Sequence, residues 1–71
     1  MIKIYAKPYK ITITAIRDVT IKFSGNTYKK ILLKNQRITI PVLEGENYTE
    51  IKEKIENTIQ IYPYTFNHKL Q

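Results

Sequence analysis

Cysteine and tryptophan are absent from these 71 residues, histidine occurs once and glycine only twice. Without cysteine there is no disulfide scaffold, no thiolate nucleophile and no Cys-based zinc or iron–sulfur site. Gly25 and Gly45 are too few to cradle a phosphate in a glycine loop, and no Gly-x-Ser-x-Gly elbow presents a serine nucleophile. His68 lies near the C-terminus with nothing to orient it, so it reads as a surface side chain. Acids are scarce as well: Asp18 and five glutamates stand against twelve Lys or Arg, a net charge of +6. Glu50, Glu53 and Glu56 recur at a spacing that lines one helix flank and could hold a divalent cation. Glu50 also sits four residues before Lys54, and the simpler reading is a solvated flank with charge pairs. No enzyme, metal, cofactor or small-molecule substrate is expected.

Long apolar runs are missing too, and nothing approaches the ~20 residues that span a bilayer. Met1 to Ile16 alternates polar and apolar residues instead of forming the apolar stretch of a signal peptide. The expectation is a cytoplasmic protein, in the host cytoplasm or the virion if the source is viral, and not a secreted one. Asn47-Tyr48-Thr49 matches the glycosylation acceptor pattern without that secretory context. The hydrophobic fraction of 42% is that of a folded chain. Its length predicts a single small domain over 1–71, which buries only about 60% of its unfolded surface.

What is present is period two. Ile2, Ile4 and Ala6 alternate with Lys3, Tyr5 and Lys7 until Pro8 breaks the run. Ile11, Ile13 and Ala15 alternate with Lys10, Thr12 and Thr14. Val19, Ile21 and Phe23 alternate with Thr20, Lys22 and Ser24. Gly25-Asn26 then reads as a two-residue hairpin turn, placing Phe23 opposite Tyr28, Lys22 opposite Lys29 and Val19 opposite Leu32. That register sets Lys30 against Ile21 on the apolar side. Either its stem snorkels at a sheet edge or a bulge turns Ile31 inward, and the apolar run Ile31-Leu32-Leu33 favours the bulge. After a turn at Lys34-Asn35-Gln36, Ile38, Ile40 and Val42 alternate with Arg37, Thr39 and Pro41. Pro41 puts this fifth strand at an edge or at its end.

After Glu44-Gly45-Glu46 the period changes. Asn47 with Glu50 three residues on has capping-box character, and Ile51, Ile55 and Ile59 recur every four residues. One amphipathic helix of about residues 48–60 is expected, stopped by Pro63. The chain therefore divides into a basic β-sheet region (1–43), an acidic turn and helix (44–60) and an extended tail (61–71), in which residues 61–66 could add a strand. The fold class is all-β leaning α+β: a five-stranded antiparallel meander or partly open small barrel with a C-terminal helix. A two-layer arrangement with the helix on one face is the alternative. The order of basic sheet and then helix resembles, at the level of architecture, small archaeal chromatin proteins and chromodomain-like barrels.

Charge is segregated. Residues 1–43 hold nine Lys or Arg and one acid, and residues 44–71 hold three Lys and five Glu. Parity puts Lys3, Lys10, Lys22 and Arg37 opposite the apolar side of their strands, the hairpin adds Lys29, and Tyr5 joins them. Lysines neutralise phosphates and a ring stacks on a base, so a nucleic-acid backbone is the first candidate partner. A solvated strand face must also be polar, and lysine blunts sheet edges, so charge alone does not decide. Tyr62, Tyr64 and Phe66 share one side of an extended tail and form a candidate protein interface. Two functions follow. One is a small basic DNA- or other nucleic-acid-binding module with little sequence preference. The other is a viral or mobile-element accessory or structural protein acting through a protein partner or as an oligomer. One continuous acid-free patch favours the first, and an exposed apolar strip the second.

Overall fold

Alternation of β-branched and polar residues produces strands where it is strongest. The computed structural model describes residues 1–25 and 29–64. In chain order it has β1 (Ile2–Ala6), β2 (Lys10–Ala15), β3 (Val19–Phe23), β4 (Lys29–Leu32), β5 (Arg37–Pro41), α1 (Tyr48–Thr58) and β6 (Ile59–Pro63). The strands form two three-stranded antiparallel sheets, ordered β1-β2-β5 and β4-β3-β6, which do not close into a barrel. The chain is thus β-rich with one helix, the expected α+β class. Its strands do not run as one meander, because β5 returns to pair with β2 and β6 supplies a sixth strand beside β3.

The two central strands carry the core. Ile11, Ile13 and Ala15 of β2 and Val19 and Ile21 of β3 are at most 1% exposed. Ala15, Val19, Ile21 and Leu32 form one buried cluster, against which Ile2 and Ile38 of the first sheet and Ile59 and Ile61 of the second pack. The inner faces of the two sheets therefore share a core at the Ala15 end. Toward the other end, Ile11 and Ile13 pack with Ile55 of α1, flanked by Ile4, Ala6, Ile40 and Ile51. The helix covers the part of the first sheet that the second does not reach. No polar side chain among the described residues is buried.

Local chemistry sets the element ends. The Asn47 side chain accepts from the Thr49 and Glu50 amides at 2.9 and 3.3 Å, satisfying two of the donors that a helix start leaves orphaned. Lys52 and Glu56 close an i, i+4 ion pair at 3.3 Å on the helix flank, in place of the Glu50–Lys54 pair. The helix stops two residues earlier than its apolar stripe suggests. Thr58 Oγ1 donates to the Lys54 carbonyl at 2.8 Å, and Ile59 turns extended (φ −76°, ψ 135°). Ile59 and Gln60 gain ladder partners on β3, Phe23 and Lys22, and β-branched Ile59 suits a strand better than a helix end.

The β3–β4 ladder runs unbroken from Lys22–Lys29 to Val19–Leu32, so the expected register holds and the favoured bulge does not form. Lys30 stays opposite Ile21 and is exposed, because β4 is an edge strand and a lysine stem can run out past an edge. Ile31 accordingly faces outward. Gly25 has the positive φ, +81°, expected at the first turn position; Asn26 and Tyr28 lie outside the described residues. Pro41 and Pro63 both sit on edge strands, β5 and β6, where the missing N–H costs no ladder bond.

Two expectations follow for stability. A chain of this size has roughly 4–10 kcal/mol of total stability. Ile55 is 8% exposed and faces Ile11 and Ile13. Ile55→Ala should cost about 2–5 kcal/mol in a denaturant titration; a loss below about 0.5 would mean that α1 is undocked in solution. A Cβ added at Gly25 meets nothing within 4 Å, so only its positive φ penalises a side chain. Gly25→Val should cost about 1–2 kcal/mol and Gly25→Asn markedly less, by thermal melting.

Candidate nucleic-acid interface

The outer face of the first sheet is built by parity from three strands. The register places Lys3, Thr14 and Arg37 in one row across the sheet and Tyr5, Thr12 and Thr39 in the next. A third row follows at the β1–β2 hairpin, where Lys10 is paired with Pro41. There Lys7 and Lys10 exchange both backbone hydrogen bonds, at 2.9 and 3.3 Å, across the two-residue loop Pro8-Tyr9. Two cation-bearing rows thus flank a central row of a tyrosine and two threonines.

Tyr5, Lys7, Lys10, Thr12, Thr14, Asn35 and Arg37 line an open concavity of about 530 Å³ on this face, and none of them is an acid. Asn35 reaches it from the turn that carries the chain between the sheets, with its own φ at +74°, a conformation that asparagine tolerates better than most residues. Its amide donates to the Ala15 carbonyl at 2.8 Å, which fixes the turn against the end of β2. Like charges gathered without a counter-charge raise the local potential and attract anions.

Of the residues singled out from sequence, the fold brings together Lys3, Tyr5, Lys10 and Arg37. Lys22 and Lys29 lie opposite each other on the outer face of the second sheet, turned away from the shared core in their own direction. Lys7, missing from the expected set, lines the concavity. The same alternation that marked Lys3 and Tyr5 as outward also marks Lys7, so that signal was available. Thr12 and Thr14 were legible in the same way, whereas the contribution of Asn35 depends on a turn conformation that alternation does not encode.

The second sheet presents a different surface. Ile31, Thr20 and Tyr62 form one outer row, and Lys29, Lys22 and Gln60 the next. Ile31 and Tyr62 are each 48% exposed, and the Tyr62 hydroxyl donates to Gln60 at 3.2 Å. Beside them Asp18, Ile31, Leu33, Gln36 and Tyr64 line a second open concavity of about 490 Å³. Lys22 and Lys29 therefore run beside an apolar strip. Tyr62 and Tyr64 both belong to that surface, while Phe66 and His68 lie outside the described residues.

Among the described residues, no three His, Cys, Asp or Glu side chains converge as metal ligands would, and no helix is long and apolar enough to cross a membrane. No protein-family model matches the chain, and no curated protein or solved structure is significantly similar to it.

Proposed function

We propose that this chain is a non-enzymatic binding module that takes a nucleic-acid backbone on the outer face of its first sheet, with little sequence preference. The observation that carries this reading is the acid-free concavity, with Lys7, Lys10 and Arg37 in its lining and Lys3 in the same row as Arg37. Lysine meets a phosphate as a point charge and carries no base code. The face is polar and open, suited to a partner that arrives along a surface instead of entering a closed pocket. Threonine hydroxyls between the cation rows can hydrogen-bond phosphate or sugar oxygens.

A second reading has its own support in the apolar strip of the second sheet. Ile31, Leu33 and Tyr62 are each more than 40% exposed, and aromatic and aliphatic groups in one patch are the usual core of a protein contact. On this reading the chain is an accessory or structural protein, of a virus or mobile element, that self-associates or docks a protein partner. The two readings use different faces, so they are separable.

The test is salt dependence. Four phosphate contacts give a slope of log K against log salt of roughly −3 to −3.5, at about 0.7–0.9 per contact. Lys3→Gln with Arg37→Gln should flatten that slope by about 1.5–2 and weaken all sequences alike. Lys22→Gln with Lys29→Gln should leave it unchanged, which marks the first sheet as the binding face. Absence of binding at low salt overturns the reading. For the second reading, light scattering should give a mass above the 8.4 kDa of one chain, restored to that value by Ile31→Asp.

A further inference from the structure

We infer that the partner of the first sheet is an unpaired nucleic-acid strand rather than a duplex. The inference rests on the backbone-binding reading above and adds the state of the strand.

Three features point to it. Tyr5 stands in the row between the two cation-bearing rows, and it is 51% exposed. Successive outward rows are two residues apart, about 7 Å along a strand. A ring set between two rows of cations can stack on a base while the cations on either side hold phosphates of the same strand. In a duplex the faces of the bases are already stacked on one another, and the ring has no partner. In a single strand each base offers a π-face.

The second feature is Tyr9, at the hairpin tip beyond Lys7 and Lys10. It is 84% exposed, so almost none of its apolar surface is covered by the fold. It puts a second exposed ring at the end of the sheet where the hairpin joins Lys7 to Lys10. The third feature is shape. The major groove of a duplex is about 12 Å wide and admits a helix or a two-stranded ribbon. Here the outward side chains stand on three strands paired side by side, one more than such a ribbon has. That face lies along a strand and does not enter a groove. Lysines and stacked rings read features common to DNA and RNA, so the inference covers both.

The experiment is fluorescence anisotropy on the full chain at about 50 mM salt, a concentration at which backbone contacts remain strong. The probes are labelled oligothymidine, oligouridine and a duplex DNA of equal length. At least one single strand should bind roughly tenfold tighter than the duplex. Tyr5→Leu, at an exposed position, should weaken that single strand about 5- to 100-fold and the duplex less than twofold. Tyr5→Phe, which keeps the ring, should restore wild-type binding, and Tyr9→Ser should show a loss in the same direction as Tyr5→Leu. Duplex binding as tight as that of both single strands, or a Tyr5→Leu loss equal for both forms, overturns the inference and leaves the backbone reading standing. Binding to none of the three probes overturns both.

Discussion

The continuous apolar side of β2 and β3 is the constraint from which the rest of the architecture follows. These consecutive strands supply Ile11, Ile13, Ala15, Val19 and Ile21, all essentially inaccessible to water. A strand that apolar on one side must be covered there and paired along both edges. Each becomes the centre of its own sheet, and the two inner faces meet at Ala15 and Val19. Burial of those five side chains also fixes the opposite side. Because side chains alternate, sinking Ile11 and Ile13 lifts Lys10, Thr12 and Thr14 to the surface, and a slip of one residue would bury them. The basic face is therefore a consequence of core packing, held in register by the same contacts that hold the fold.

Partition into two sheets depends on the joints between them. Asp18, in the β2–β3 connection, accepts the Lys34 amide on Oδ1 at 2.8 Å, and its own carbonyl accepts from the Tyr64 amide at 3.1 Å. Three connections thus meet at one residue: the link between the central strands, the turn from β4 to β5, and the end of β6. Asp18 is also the sole acid of the first 43 residues. Its carboxylate is used for a backbone bond at the joint, and the outer face of the first sheet keeps no acid in its concavity. Segregation of charge is then a division of labour along the chain, with acids at caps, turns and helix flank and cations on the strands.

Most of the fold was legible because its signals are local. Alternation located five strands, the Asn47 cap and the four-residue isoleucine repeat located α1, and parity named the outward side of β1, β2, β3 and β5. What alternation cannot encode is which sheet a strand joins. Lys22 obeys the same parity as Lys10, yet the short connection at residues 16–18 places β3 in a different sheet, and the two lysines face different ways. The start of β6 was hidden for a related reason. Ile59 continues the helical stripe of Ile51 and Ile55 and equally begins the alternation Ile59, Ile61; local sequence supports both, and pairing with Phe23 decides. Lys30 was ambiguous between a bulge and an edge, and edge position is again a property of the whole sheet.

The same segregation has an energetic consequence. Lys7 faces Lys10 across a hairpin and Lys22 faces Lys29 across a ladder, and each like-charge pair opposes folding by a few tenths of a kcal/mol. A small core leaves a margin of only several kcal/mol against which to set this. Strand faces that only had to be soluble could interleave acids with lysines, as α1 does with Lys52 and Glu56. On the reading proposed above, the repulsion is relieved when an anionic partner occupies the first sheet. Ligand binding to the native state alone adds about 2.7 kcal/mol at a hundredfold excess over Kd, a large share of the stability of so small a chain. The second sheet gains in the same sense if its apolar strip is covered. In both cases the surface that weakens the isolated domain is the surface a partner would stabilise, and the marginal core and the uncompensated charge become parts of one physical arrangement.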